Sequence, residues 1–405
     1  MKRFLRIYSL ILLLSLISCA DSTKILRRTI PSIPGASDEM TAAPESALPE
    51  PPPDPIVETA RISVVAAGDN VIHRAIWTDA MQRGGEGKYD FAAMYADTAD
   101  YIAAFDVAFI NQETLMAESF ELATYPRFNS PQDAGRTLRD IGFDVVNIAN
   151  NHMCDKGDVG LAETIAFWES PEMSGVTLIG GYTKENYDDV RVTEVEGVKI
   201  AWLSYTEHTN GGRLTAKSEH LVPLLEDETI LRQCEIAEVM ADITIVSVHW
   251  GDENMPVNDE QRRLAKLMAE AGADVILGHH PHVLQPAEWL ETDAGRTLCI
   301  YSMGNLVSVM EKWQNMVGGF LEFELVLMSD GTITVENAGF VPTVFYYGPN
   351  WLNTRLYFMR NYPESRAQKH GAAVINGSPA TIGEMQDHAR KIMGDFLRME
   401  SEIIR

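Results

Sequence analysis

Short apolar runs alternate with helical patterns along most of this sequence, and several of the runs end directly in a cluster of polar residues. The runs are ISVVAAG, VAFI, VVNIA, ITIVSV, DVILG and CIYSMG. Runs of this length, rich in Val and Ile, predict buried strands. The segments between them include helical patterns such as NDEQRRLAKLMAEAG, with Asn258 as a candidate N-cap. Because strands alternate with helices, we expect an α/β fold, and turn signals at 196–197 and 330–331 predict hairpins within mixed sheets.

The polar clusters stand where the predicted strands end. In α/β sheets, ligands bind beyond the carboxyl ends of the strands, so residues far apart in the sequence are expected to converge on one site. In chain order, these residues are Asp69, then Asn111 and Glu113, then Asn150, Asn151 and His152, then His249, then His279, His280 and His282, and finally Asn305.

Six of these side chains form a candidate metal-ligand set of carboxylate, amide and imidazole donors. Such a mixture suits Zn, Mn, Fe or Ni better than it suits a thiolate-rich structural zinc site. Two carboxylates and several histidines can hold two ions that share a bridging carboxylate, activate a water and clamp both oxygens of a displacement. We therefore predict one or two divalent transition-metal ions, bound by Asp69, Glu113, Asn151, His249, His280 and His282.

The segment GHHPH, residues 278–282, predicts a particular register for its three histidines. Pro281 biases His280 toward extended backbone. In an extended chain, His280 and His282 face the same side, and His279 faces away. We also expect a hydrogen-bond acceptor such as Asp274, Glu253 or a backbone carbonyl to orient these imidazoles.

Simpler structural roles compete with the functional ones. Asp69 is also a common type of turn residue, and Asn150 or Asn151 can occupy a turn in left-handed backbone. Glu253 and Arg74 face either the cleft or the solvent.

The N-terminal residues predict an export signal. Residues 1–18 combine a positively charged start with a short apolar stretch, and the LISC that ends at Cys19 resembles a bacterial lipobox. Lipidation of Cys19 and a Pro-rich tether at 19–60 would place the protein outside the cytoplasm, anchored to the bacterial membrane. A plain signal peptide is the alternative. The folded domain is predicted at 61–345, and a helical extension at 346–405.

Charge and cysteine content exclude some classes of protein. The net charge of −25 argues against a nucleic-acid partner. The remaining cysteines, Cys154, Cys234 and Cys299, are odd in number and far apart, so they predict no disulfide framework.

Seven segments together resemble the CapA family, the poly-γ-glutamate capsule synthesis proteins, whose domain is similar to the calcineurin-like metallophosphatases. The segments are GDNVIHR, NQET, ANNHMCDKG, LSYTEHTNG, VHWGDE, AGADVILGHHPHVLQP and YSMGN. The resemblance runs from about residue 62 to residue 308 and implies a four-layer α/β/β/α sandwich, with two mixed sheets flanked by helices.

The resemblance also implies roles for individual residues. Asp69 matches the first aspartate of the metallophosphatases, Glu113 stands at the place of their bridging aspartate, and Asn151 matches a metal-ligating Asn. His152 matches the histidine that acts as acid or stabilises the leaving group. His249, His280 and His282 match the remaining histidine ligands, while His279 precedes the terminal pair as a substitutable neighbour.

The chain departs from the metallophosphatase pattern at one ligand. Those proteins carry a histidine two residues after the first aspartate, and here that position holds Val71. His73 is a candidate substitute. The departure weakens the expectation of two ions.

Three hypotheses for function follow. The first is a metal-dependent hydrolase or transferase that acts on a phosphoester or a γ-glutamyl amide in capsule or exopolymer synthesis. The second is a non-catalytic, metal-containing assembly or export factor that binds an anionic polymer, and the third is an extracytoplasmic phosphoesterase. The family resemblance implies association with the membrane proteins of a capsule synthase.

Overall fold

Two mixed β-sheets form the centre of the structure, a computed structural model that describes residues 55–85 and 87–404. The predicted signal peptide, Cys19 and most of the predicted tether lie outside the described residues. The strands are β1 (Glu58–Asn70), β2 (Val107–Gln112), β3 (Val145–Asn147), β4 (Thr177–Ile179), β5 (Tyr182–Thr183), β6 (Arg191–Val195), β7 (Val198–Thr206), β8 (His220–Leu221), β9 (Ile243–His249), β10 (Val275–His279), β11 (Leu284–Thr292), β12 (Gly295–Met303), β13 (Asn305–Val307), β14 (Val317–Met328), β15 (Ile333–Tyr346) and β16 (Arg355–Phe358).

The helices connect these strands and follow the sheets at the C-terminus. The α-helices are α1 (Arg74–Gly84), α2 (Ala99–Ile102), α3 (Gln132–Asp140), α4 (Gly157–Trp168), α5 (Asp227–Met240), α6 (Asp259–Glu270), α7 (Glu364–Ala367), α8 (Gly371–Val374) and α9 (Ile382–Met393). Short 3₁₀ helices cover Ala92–Tyr95, Pro171–Met173, Trp313–Met316, Met359–Asn361 and Gly394–Phe396.

Each sheet has parallel strands in its interior and antiparallel strands at one or both edges. The first sheet has the order β16-β15-β14-β1-β2-β3-β4, with β13 pairing beside the end of β1. Strands β1 to β4 are parallel in it. The second sheet has the order β11-β12-β10-β9-β7-β6, with β7, β9, β10 and β12 parallel. The predicted mixture of crossovers and hairpins is confirmed.

Three apolar cores separate four layers. Along β1, successive side chains point to opposite faces, so that Val64 packs against the second sheet while Val65 packs against helices. Between the sheets, Phe109 stacks on Trp202 with ring centroids 5.8 Å apart. The first sheet packs its outer face on α1, α3 and α4, and the second packs its outer face on α5 and α6. The predicted α/β/β/α sandwich is confirmed.

Local signals fixed several of the element ends. Asn258 caps α6 in a capping box with Gln261, as its side chain accepts the Gln261 N–H at 2.8 Å. The predicted hairpin at 196–197 joins β6 to β7, with both residues at positive φ. The turn at 330–331 joins β14 to β15.

The predicted boundaries of the domain fall inside strands. Strand β1 begins at Glu58, within the last residues assigned to the tether. Residue 345 lies in β15, and the residues that follow add β16 to the first sheet. Helix α9 contributes Met385 and Met393 to the core between the sheets. Among the helices of the described residues, none combines the length and the apolar character that a bilayer span requires.

Candidate metal centre

Close backbone contacts bring the ends of several strands to one place. A β-carbon at Gly68 would lie 2.1 Å from the carbonyl oxygen of Gly304, and one at Gly278 would lie 2.0 Å from that of Tyr301. Only glycine permits such approaches. They place Asp69, the next residue after Gly68, beside His279 at the end of β10, with 3.1 Å between Asp69 Oδ1 and His279 Nδ1.

Asp69 is fully buried at the centre of a polar network. Its Oδ1 accepts a hydrogen bond from Asn111 Nδ2 at 2.8 Å, and its Oδ2 accepts the backbone N–H of His280 at 3.2 Å. Burial alone would raise the pKa of Asp69, but hydrogen bonds from His279 and His282 outweigh it and hold this pKa well below its usual range. The carboxylate is therefore charged in the folded protein.

Glu113 is the second buried carboxylate, and it has no hydrogen-bond partner for either oxygen among the described residues. Its Oε1 lies 3.7 Å from His249 Nε2 and 3.5 Å from His282 Nε2. Burial raises the pKa of Glu113 well above its usual range. Buried polar atoms are nearly always satisfied, so an orphaned carboxylate facing imidazoles marks a place for a cation.

Two overlapping groups of ligand atoms share Glu113. Within the described residues, Glu113 groups with His280 and His282, and it groups also with Asp69 and His249; the donor atoms of each group lie within 4.8 Å of one another. Burial lowers the pKa of His280 to about 3 and that of His249 well below its usual range, so both rings are neutral. The charges of Glu113 and Asp69 outweigh burial and raise the pKa of His282 to about 10, so this ring must lose a proton to join the other imidazoles and the carboxylates as a ligand of a divalent metal ion.

Asn151 and His152 lie at the same site with different partners. Asn151 Oδ1 is 3.1 Å from His249 Nε2, and its Nδ2 has no partner among the described residues. His152 Nδ1 is 2.7 Å from Asp155 Oδ2, and its Nε2 is 3.3 Å from Asn210 Nδ2. A carboxylate on one ring nitrogen fixes the tautomer and leaves Nε2 facing the site.

His280 and His282 converge on Glu113 as predicted, but two other parts of the conformation predicted for GHHPH are wrong. His279 does not face away, since it contacts Asp69 directly. His280 and His282 are not extended, because their φ angles are 95° and 56°, in the left-handed region. Strand β10 ends at His279, and the chain then turns so that the N–H of His280 reaches Asp69. This tertiary hydrogen bond overrides the local bias that Pro281 imposes on the residue before it.

The orienting group of His282 also differs from the prediction. Asp274 directly precedes β10 and accepts the N–H of Thr244 near the start of β9. It therefore lies at the opposite end of these strands from His249 and His279. Asn305 instead places its Oδ1 2.9 Å from His282 Nδ1 and anchors its own Nδ2 on the carbonyl of Asn315 at 2.9 Å.

The remaining candidates lie around the metal-ligand groups. His73 Nε2 is 3.4 Å from Ser308 Oγ, and no group of metal-ligand atoms in the described residues includes it. Arg74 is exposed at the start of α1. Glu253 is exposed as well, yet its negative charge contributes to the raised pKa of Glu113, so it lies near the site.

For three residues of the network the sequence predicts no individual role, although Asn111 and Asn305 are expected near the site. Asn111 and Asn305 follow predicted strands, and Asp155 stands three residues after His152, but each is a common turn residue with no distinguishing pattern. Once the fold is known, their positions identify them. Asn111 lies near the end of β2, Asn305 at the start of β13, and Asp155 in the turn before α4.

The sequence profile of the family described as bacterial capsule synthesis protein PGA_cap matches residues 63–310. The chain belongs to this family. The predicted membership is confirmed, and the matched region contains every proposed metal ligand.

Two curated relatives carry related names. The chain is 31% identical over 262 residues to the PGA biosynthesis protein CapA of Bacillus subtilis (strain 168), an alignment covering 62% of this chain and 66% of that protein. It is 27% identical over 260 residues to the capsule biosynthesis protein CapA of Bacillus anthracis, covering 62% of this chain and 60% of that protein. The matched region therefore spans less than two thirds of each relative.

Solved structures share a more distant similarity. A putative 5′-nucleotidase from Staphylococcus aureus is 12% identical with a TM-score of 0.44, covering 70% of this chain and 54% of that one. The NAD nucleotidase of Haemophilus influenzae is 12% identical with a TM-score of 0.45, covering 85% of this chain and 64% of that one.

Proposed function

We propose that this protein is a lipid-anchored, extracytoplasmic, metal-dependent hydrolase or transferase in the synthesis or export of a poly-γ-glutamate capsule or a related exopolymer. The observation that carries the proposal is Glu113, a buried carboxylate without a hydrogen-bond partner in the described residues, shared by two groups of ligand atoms. Membership of the capsule synthesis family supports the role in capsule production.

The ligands that we propose for the metal are those predicted from the sequence. They are Asp69, Glu113, Asn151, His249, His280 and His282, for one or two Zn, Mn, Fe or Ni ions. A divalent ion in this position supplies a Lewis acid that polarises a carbonyl or phosphoryl group and lowers the pKa of a water. Val71 stands where a further histidine would be expected, and His73 is directed toward Ser308, which favours one fully ligated ion.

His152 is the proposed general acid. Asp155 accepts a hydrogen bond from His152 Nδ1 and stabilises the imidazolium, so Nε2 can hold the proton that the leaving group needs. Asn210 lies beside Nε2 and limits rotation of the ring. Asn111, from the adjacent strand β2, and His279, from β10 of the second sheet, hold the Asp69 carboxylate in place.

The test is metal analysis of the purified protein, combined with an activity screen on phosphoesters and on γ-glutamyl oligomers. We expect His280→Ala and His282→Ala to lose the metal and any turnover. His388→Ala, on α9, is the control and should retain both. Full retention of metal in the His280 and His282 variants would exclude the proposed site.

A non-catalytic assembly factor is the second candidate, and the departure at Val71 favours it, because a site with fewer ligands can bind a polymer without turning it over. Metal binding with no turnover of either substrate class would support it, whereas turnover of phosphoesters alone would support an extracytoplasmic phosphoesterase. Capsule-synthase membrane proteins are the proposed partners in each case.

The anchor is tested separately. Cys19→Ala should release the protein from the membrane or stall its processing, because a multiply acylated N-terminus is what holds it there. Mass spectrometry of the wild type should find the acyl groups, and their absence would exclude the lipid anchor.

A further inference from the structure

Two pockets are lined by residues that neighbour the side chains of the metal centre, and both contain basic side chains. The first, which we call the Arg74 pocket, is a cavity of about 360 Å³ whose walls include His73, Arg74, Thr124, Val309, Trp351 and Leu352. The second, the Arg213 pocket, is a cavity of about 680 Å³ whose walls include Lys184, His208, Arg213, Leu214 and Val222.

The Arg74 pocket is connected to His152 through the rings of His73 and Phe128. The His73 ring lies 5.2 Å from that of Phe128, and the Phe128 ring lies 4.7 Å from that of His152. His73 therefore belongs to the pocket wall and, through the ring of Phe128, to the surroundings of the proposed general acid.

The far wall of the Arg74 pocket is held rigidly. The carboxylate of Asp79 on α1 accepts the backbone N–H groups of Asn353 and Thr354, at 3.0 and 2.8 Å. Trp351 has a φ of 65° and stacks on Tyr347 with ring centroids 5.2 Å apart. A non-glycine residue in left-handed backbone is strained, and the surrounding contacts must hold it there. The pocket is therefore preformed.

The Arg213 pocket reaches the metal centre through a loop. The His208 ring lies 5.3 Å from that of His280, and the backbone N–H of Asn210 donates to the carbonyl of Asn151 at 2.8 Å. The pocket also contains Glu207, whose carboxylate accepts the N–H of Gly251 at 2.7 Å. His208 and Arg213 thus stand on a loop that is fixed to two of the proposed ligands, while Lys184 directly follows β5.

The basic groups of these pockets form no ion pair with the described residues, although the Arg74 guanidinium lies over the Trp77 ring at 5.9 Å from its centroid. In the described part of the chain, no carboxylate lies within ion-pair distance of Arg74, Lys184 or Arg213, although most of the other arginines there are paired. Acidic side chains are abundant, since the net charge is −25. Cations left free beside a cleft of such an acidic protein are suited to an anionic ligand.

We propose that the two pockets are subsites for one linear polycarboxylate that passes over the metal centre. Arg74 would bind a carboxylate on one side, and Lys184 with Arg213 would bind carboxylates on the other. The apolar parts of both walls, such as Leu352 and Leu214, suit methylene groups between the charges, which a polyphosphate lacks. The inference rests on the proposed function and extends it. The protein would bind an internal segment of the polymer and not only the end of the polymer.

The experiment measures binding to the full-length protein by fluorescence anisotropy, with labelled γ-linked glutamate oligomers of different length. Arg74→Gln and Arg213→Gln should each raise the Kd of a long oligomer about tenfold, the loss expected for one charged hydrogen bond, and leave the Kd of a dimer nearly unchanged. Lys199→Gln is the matched control. Lys199 is an unpaired cation in the described residues, and it lies about 23 Å along β7 from Thr206, the partner of His249.

The outcomes separate this inference from the proposed function. Losses that are equal for the long oligomer and the dimer, or no loss at all, would overturn the two subsites. Polyphosphate that binds as tightly and shows the same losses would overturn the polycarboxylate assignment. The wild type could bind long oligomers more tightly than the dimer, and both variants could lose this preference, while no substrate is turned over. That result would support the two subsites and reject the proposal that the protein is a hydrolase.

Discussion

Replacing Glu113 by Gln should separate metal binding from folding. Burial raises the pKa of Glu113 and so disfavours its charged form in the metal-free protein, and Gln resembles the neutral acid. The substitution keeps the shape but removes the negative charge that two groups of ligand atoms share. We therefore expect little change in stability without metal and a loss of the stabilisation that metal provides.

The magnitude follows from linkage between binding and folding. At a metal concentration of about 100 times its Kd, the wild type gains about 2.7 kcal/mol of unfolding free energy. If the variant binds about 100-fold more weakly, it gains about 0.4 kcal/mol at the same concentration. The difference of about 2.3 kcal/mol corresponds to about 3 °C in Tm for a folded unit of roughly 350 residues.

The assay is thermal unfolding in a chelator and in added metal, with metal content measured on the same samples. Glu322→Gln is the matched control, because Glu322 is equally buried but is paired with Arg398 at 3.1 Å. Breaking that pair should cost about 3 kcal/mol whether or not metal is present. A Glu113→Gln variant that loses as much stability in chelator, or that keeps the full metal-dependent shift in Tm, would refute the reasoning.

Three further substitutions test other contacts. Asn305→Ala removes the nearer of the two acceptors beside His282 Nδ1, the other being Asp69 Oδ2 at 3.3 Å, and should weaken metal affinity about 10- to 100-fold. Unchanged affinity in a metal titration of the folded variant would show that the ring does not depend on Asn305. Asp155→Asn should lower kcat about 100-fold with metal content retained, because the amide cannot stabilise the His152 imidazolium; an unaltered kcat would exclude His152 as the acid. Burial lowers the pKa of His370 to about 4, and its neutral ring accepts the Ala372 N–H at Nδ1 while donating to a carbonyl from Nε2. As the pH falls, His370 therefore takes up a proton in the unfolded chain before it does so in the folded protein. The contribution of its neutral ring to the unfolding free energy is complete above about pH 6.5 and decreases by about 3 kcal/mol toward pH 4. Urea unfolding at several pH values should show a smaller decrease for His370→Gln, and an equal decrease would contradict this assignment.

Local sequence determined the elements and the types of chemical group at their ends. Buried strands require runs of apolar residues whatever their neighbours, so ISVVAAG and ITIVSV were recognisable in isolation. The capping residue Asn258 acts on a backbone N–H three residues away, which makes it equally local. Because parallel strands place their carboxyl ends at one edge, the convergence of Asp69, Glu113 and His249 followed from the strand pattern.

The tertiary structure decided how those groups are oriented. The conformation of GHHPH depends on a hydrogen bond from the N–H of His280 to Asp69, which is 211 residues away in the sequence. The local conformational preference that Pro281 imposes cannot predict that contact. Asn305 became the orienting partner of His282 because β13 pairs beside the end of β1. Side-chain directions at a buried site are set by hydrogen bonds that must be satisfied between distant segments, and the energies of those bonds exceed the local preferences that a sequence pattern expresses.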